Sequence, residues 1–63
     1  MSAEQDRRSV LELIDGLDEP VSITQIASTL DMTPLQVRGH LRALMTVGMV
    51  GPSGSRPTVW SAL

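Results

Sequence analysis

Apolar residues recur at helical spacing in three separate stretches of the chain, with polar and charged residues between them. This periodicity predicts helices over about residues 3–16, 23–30 and 34–47. The three apolar sets are Val10, Ile14 and Leu17; Ile23, Ile26 and Leu30; and Val37, Leu41 and Leu44.

Capping signals place the ends of the second and third helices. Ser22 with Gln25, and Thr33 with Gln36, each have the spacing of a capping box, in which the two residues exchange side-chain-to-backbone hydrogen bonds. A proline follows the threonine, at the helix position where its missing N–H costs nothing. Gly48 is placed to end the third helix.

The last part of the chain has the composition of a β-hairpin. Residues 49–62 read as strand, loop and strand, with two Gly and two Pro in the loop and Thr58-Val59-Trp60 after it. As the only aromatic residue, Trp60 is expected to anchor the hairpin on the core. The stretch Val21-Ser22 is so short that it could only add a short strand at a sheet edge.

We therefore predict one domain over residues 1–63, of α+β class and mostly helical, with three helices and a small antiparallel hairpin.

Composition excludes several function classes. Without Cys and with a single His, His40, a metal centre is not expected, and neither is a cofactor or a nucleophile–base pair. A chain of 63 residues has little room for a small-molecule pocket, so we expect no enzyme activity and no small-molecule substrate. No apolar run approaches the ~18 residues of a membrane span, and the N-terminus lacks the apolar stretch of a signal peptide. These features predict a cytoplasmic binding module.

The charges are distributed unevenly along the chain. The net charge is −2, but residues 1–31 carry all seven acids and two Arg, whereas residues 32–63 carry Arg38, Arg42, Arg56 and no acid. This asymmetry indicates one anionic and one cationic face, and a cationic face is typical of nucleic-acid binding. Chance is the alternative in a chain with twelve charges.

Every cation is Arg, and Lys, Asn, Phe and Tyr are absent. A GC-rich bacterial or phage genome would explain this composition. A selected surface chemistry is the other hypothesis.

The order of predicted elements, together with several local motifs, resembles the winged helix-turn-helix of bacterial transcription regulators of the MarR, IclR and ArsR kinds. The resemblance covers residues 10–62. The motifs that carry it are Val21-Ser22-Ile23-Thr24-Gln25-Ile26-Ala27, Leu30-Asp31-Met32-Thr33, His40-Leu41-Arg42-Ala43-Leu44, Gly48-Met49-Val50, Arg56-Pro57 and Trp60. It implies a DNA-binding protein that inserts the third helix in the major groove of double-stranded DNA.

Helical geometry places the outward face of the third helix opposite Val37, with both of its Arg pointing away from the core. The resemblance implies DNA roles for this face: base edges and phosphates for the helix start, phosphate or guanine for Arg38 and Arg42, and a minor groove or the backbone for Arg56 in the hairpin loop. The expected nucleic-acid-binding residues are Thr24, Thr33, Leu35, Gln36, Arg38, Gly39, Arg42 and Arg56.

Each of these residues also has a plainer interpretation. In this interpretation Thr33 and Gln36 cap their helix and do nothing else, and both Arg are ordinary surface charges. Leu35 is either a contact to a thymine methyl group or part of a protein interface. Three Arg neutralise about three phosphates, so their electrostatic contribution to DNA binding is weak. A homodimer or a larger assembly would strengthen it.

Two other winged-helix functions compete with the regulator hypothesis. Z-DNA-binding domains carry a Pro near a wing Trp, which Pro57-Thr58-Val59-Trp60 resembles, but their Asn and Tyr are replaced by Arg38 and Arg42. The second is a protein-interaction module, whose patch on the third helix would comprise Leu35, Gly39, Ala43, Thr46 and Val47.

Overall fold

The chain folds as three helices and a three-stranded antiparallel sheet, as described by a computed structural model for residues 3–54 and 58–63. This confirms the predicted α+β, mostly helical class. The elements are α1 (Ala3–Asp15), β1 (Val21–Ser22), α2 (Ile23–Leu30), α3 (Pro34–Thr46), β2 (Val50–Gly54) and β3 (Val59–Ala62).

Both predicted capping boxes form, and they explain where α2 and α3 begin. Ser22 Oγ accepts from the Gln25 amide at 3.2 Å, and the Ser22 amide donates to Gln25 Oε1 at 3.0 Å. Thr33 and Gln36 make the same pair of bonds at 3.2 and 3.0 Å. Each box satisfies amide groups that the first turn of a helix leaves without a partner.

Two residues with positive φ separate the elements that follow. Asp31, at φ 55°, ends α2 and turns the chain toward α3. Gly48, at φ 78°, follows α3 and leads into β2, which confirms the predicted helix end. A left-handed backbone suits Gly best and Asp better than most residues.

The sheet has the order β1-β3-β2, so β3 lies in the centre. Trp60 on β3 pairs with Val21 on β1 and with Pro52 on β2. A proline is tolerated at Pro52 because β2 is an edge strand. Trp60 is buried, as predicted, and its indole N–H finds no hydrogen-bond partner among the described residues.

The core lies where the helices meet the sheet. Its fully buried side chains come from every helix and from β2, and they are Val10, Ile26, Val37, Leu41 and Val50.

Two apolar residues depart from the sequence prediction. Leu17 continues the apolar spacing of α1 but is 44% exposed, because the helix ends at Asp15 and Leu17 lies in the turn after it. Met49 is also half exposed, since β2 begins one residue later, at Val50. Among the described residues, no helix is long and apolar enough to cross a membrane.

Candidate nucleic-acid interface

Helix α3 has a buried face and a solvent-exposed face. Val37 and Leu41 are completely buried, whereas the opposite side carries the exposed residues Leu35, Gly39, Arg42 and Thr46, with Arg38 and Gln36 at its flanks, also exposed. The outward direction of both Arg agrees with the prediction from helical periodicity. These exposed residues, between Leu35 and Thr46, form the outer face of α3.

A depression lies on one side of the N-terminal turn of α3. It is lined by Ile23 at the start of α2 and by Pro34, Leu35 and Arg38 of α3. The packing of α2 against α3 therefore places an apolar surface directly beside a guanidinium group.

A second depression lies on the other side of the same turn, where α1 approaches α3. Asp6 and Arg7 of α1 line it together with Leu35, Gln36 and Gly39 of α3, and Ala3 and His40 complete it. Leu35 borders both depressions and forms the ridge between them. Arg7 has no role predicted from sequence, because the α1–α3 contact that brings it here is not visible in the order of residues.

The position of Asp6 qualifies the charge separation seen in the sequence. One acid of the anionic half stands beside the start of the outer face, with Arg7 next to it along the chain. Helix α3 itself carries no acid, and no acid follows it in the sequence. Within residues 3–54 and 58–63, the guanidinium groups of Arg38 and Arg42 form no ion pair and no side-chain hydrogen bond.

The capping box of α3 uses the side-chain acceptor atoms of Thr33 and Gln36 and does not use their side-chain donor groups. Thr33 Oγ1 and Gln36 Oε1 both accept from backbone amides. The hydroxyl proton of Thr33 and the amide NH2 of Gln36 are not used by these bonds. Phosphate oxygens accept hydrogen bonds, so capping the helix and contacting a backbone phosphate are compatible at both residues.

The remaining predicted site residues are less tightly connected to the outer face. Thr24 is exposed in the first turn of α2, next to Ile23 of the first depression. Thr46, which belongs to the alternative protein-interaction patch, is on the outer face, and its hydroxyl donates to the Arg42 carbonyl at 2.8 Å. Arg56 lies outside the described residues.

Comparison with known proteins adds one finding at the level of the fold. No protein-family model and no curated protein sequence matches the chain. Among solved structures, the chain is similar to the crystal structure of the Zalpha domain of PKZ from Carassius auratus in complex with Z-DNA. The TM-score is 0.89, the identity is 21%, and the likeness covers 100% of both chains.

The chain has a winged-helix fold. In this fold β2 and β3 form the wing, and α2, the short turn after it and α3 form the helix-turn-helix. An identity of 21% shows the fold alone, so the resemblance to MarR, IclR and ArsR regulators stays a prediction.

Proposed function

We propose that this winged-helix protein binds double-stranded DNA through the outer face of α3. The observation that carries the proposal is a solvent-exposed, acid-free face of α3 whose two Arg have no side-chain partner among the described residues. This face lies at the position that the winged-helix fold presents to a ligand. The similar Zalpha structure is in complex with Z-DNA, which supports a DNA partner for the same fold.

In this proposal, the N-terminal turn of α3 enters the major groove of right-handed DNA. Arg38 contacts a base edge, while Thr33, Gln36 and Arg42 contact phosphates. Gly39 lets the backbone approach closely, since no atom of residues 3–54 and 58–63 outside its own helix turn lies within 4 Å of the position its Cβ would take. Thr24 contacts the DNA backbone from the start of α2, and Arg56 contacts the minor groove or the backbone from the wing.

The biological setting that we propose is a bacterial or phage transcription regulator that acts in the cytoplasm. The Arg-only composition supports a GC-rich bacterial or phage source. With few cations in each copy, two copies on one duplex would double the phosphate contacts, and we propose a homodimer on DNA. The mass of the protein–DNA complex in sedimentation equilibrium tests this stoichiometry.

The direct test is a titration of a mixed-sequence duplex at ~50 mM salt, followed by amide shifts, because low salt strengthens every phosphate contact. Shifts should be concentrated on residues 33–46 and should fade as salt rises. Arg38→Ala and Arg42→Ala should each weaken binding. Arg8→Ala is the matched control, since Arg8 is exposed on α1 and borders neither depression. Equal affinity in all four proteins would refute the proposal.

A second candidate, Z-DNA binding, is favoured by the similar Zalpha structure and by the resemblance of Pro57-Thr58-Val59-Trp60 to the wing of Z-DNA-binding domains. It is disfavoured by Arg38 and Arg42, which stand where Z-DNA-binding domains have Asn and Tyr. Circular dichroism of an alternating CG duplex separates the two candidates. An inverted spectrum on adding the protein would establish Z-DNA binding, and an unchanged spectrum with binding would support right-handed DNA.

The protein-interaction alternative rests on the exposed apolar residues at the far end of α3. Met45 and Val47 are 42% and 68% exposed. If amide shifts are absent with every duplex, this alternative replaces DNA binding.

A further inference from the structure

We propose that Leu35 gives this protein a preference for thymine, by contacting the 5-methyl group of a thymine that neighbours a guanine bound by Arg38. This inference rests on the proposed binding of right-handed DNA. It names what the first turn of α3 selects.

The position of Leu35 is the first argument. Leu35 is 77% exposed although it belongs to the same helix as the fully buried Leu41, so it contributes little to the core. It is the second residue of α3 and forms the ridge between the two depressions. Recognition helices contact base edges with their N-terminal residues, so this ridge is the part of the protein that reaches deepest into a groove.

The surroundings of Leu35 are the second argument. Ile23 and Pro34 extend its apolar surface within the first depression, and the guanidinium of Arg38 lies in the same depression. A surface with an apolar centre and a cation at its edge suits a ligand with the same two parts. In the major groove, thymine alone among the four bases presents a methyl group, and guanine presents two acceptors that Arg binds bidentately.

Helical spacing is the third argument. Arg38 follows Leu35 by three residues, which corresponds to about 4.5 Å along the helix axis and about 60° around it. Base pairs are stacked about 3.4 Å apart. A leucine on one base pair and an arginine on the next are therefore compatible with a helix lying in the groove.

Arg42 lies farther from Leu35 along the axis of α3 than Arg38 does. It is seven residues beyond Leu35, which corresponds to about 10.5 Å along the axis but only about 20° around it. At that distance it lies toward the groove edge, where phosphates are found. The outer face thus divides into a base-reading turn, at Leu35 and Arg38, and a phosphate-binding part at Arg42.

The experiment uses two random duplex libraries, one with thymine and one in which deoxyuridine replaces every thymine. Deoxyuridine pairs like thymine and lacks only the methyl group. Selection from the first library should enrich thymine beside guanine. On the selected duplex, replacing that thymine by deoxyuridine should weaken binding by about four-fold, the factor expected for one buried methyl group.

Variants assign this discrimination to the residue. Leu35→Ala should lose the thymine-to-deoxyuridine difference and still bind DNA, while Arg38→Ala should lose the guanine preference. Val47→Ala is the control, because it truncates another exposed aliphatic side chain just beyond the opposite end of α3 and should keep the full difference. Thermal unfolding of Leu35→Ala should match the wild type, since the side chain is exposed.

A further experiment tests whether the methyl group that Leu35 contacts must belong to thymine. Cytosine and 5-methylcytosine are placed at the thymine position, and tighter binding of 5-methylcytosine would support contact to any pyrimidine methyl group rather than to thymine as a base. Wild-type binding with equal affinity for thymine and deoxyuridine would overturn this inference and leave DNA binding intact. No binding to any duplex would overturn both.

Discussion

At the residue scale, Gly39 and Gly48 differ in backbone conformation, because one lies within α3 and the other lies after its end. Gly39 lies within α3 on its outer face, in ordinary helical conformation. Gly48 lies after α3 with φ 78°. In the part of the chain that the structure describes, no non-neighbouring atom is within 4 Å of either Cβ position. Any effect of adding a methyl group at these sites must therefore come from the backbone and not from a clash.

We expect Gly39→Ala to stabilise the protein by about 1 kcal/mol, because Ala restricts the unfolded chain and favours a helix. Gly48→Ala should destabilise it by about 1 kcal/mol, since L-residues resist positive φ. Urea unfolding of both variants measures the two changes. If Gly39 also allows close approach to DNA, the more stable Gly39→Ala variant should bind a duplex more weakly. A change of the same sign at both sites would contradict the backbone argument.

At the element scale, α3 is held at its start by reciprocal hydrogen bonds between Thr33 and Gln36. This capping box has two effects. It orders the turn that carries Leu35, and it gives the backbone amides of Thr33 and Gln36 hydrogen-bond partners within the protein. A recognition helix with a frayed first turn would present its reading residues in many orientations.

Thr33→Ala should therefore lower the free energy of unfolding by about 1 kcal/mol, the usual effect of removing an N-cap. Thr33→Ser keeps the hydroxyl and should unfold like the wild type. Thermal unfolding followed by circular dichroism compares the three proteins. Stability equal to wild type in the alanine variant would show that the cap contributes nothing, and a loss in the serine variant would point to the methyl group instead.

At the scale of the whole molecule, the packing of α1 on α3 brings one cation and one acid beside the outer face. Arg7 and Asp6 reach the second depression from a helix that the sequence assigns to the anionic half. Arg7 adds a cation to the proposed DNA surface, which otherwise has Arg38, Arg42 and the predicted Arg56.

If Arg7 contacts a phosphate, Arg7→Ala should make the plot of log affinity against log salt shallower by about 0.9, the contribution of one phosphate. Arg8→Ala, one residue along on the same helix and away from the depression, should leave the slope unchanged. Asp6→Asn should strengthen binding, since it removes an acid that lines the second depression. Identical slopes for the two Arg variants would exclude α1 from the DNA surface.

Much of this fold could be predicted from local sequence. The capping boxes at Ser22 and Thr33 and the helix end at Gly48 were predicted because their causes lie within a few residues of one another. The outward direction of Arg38 and Arg42 follows from the spacing of Val37 and Leu41 alone. Such features depend on backbone hydrogen bonds and helical periodicity, which neighbours in sequence determine together.

Features that depend on distant parts of the chain could not be predicted in this way. Leu17 fits the apolar spacing of α1 yet is exposed, because the length of the helix and not its periodicity decides whether the position is covered. The place of Arg7 beside Gly39, and of Ile23 beside Arg38, arises from contacts between helices. Local order along the chain determined which helices form and which way their side chains point. Only tertiary packing decided which of those side chains share a surface, because that depends on how separate elements bury their apolar faces together.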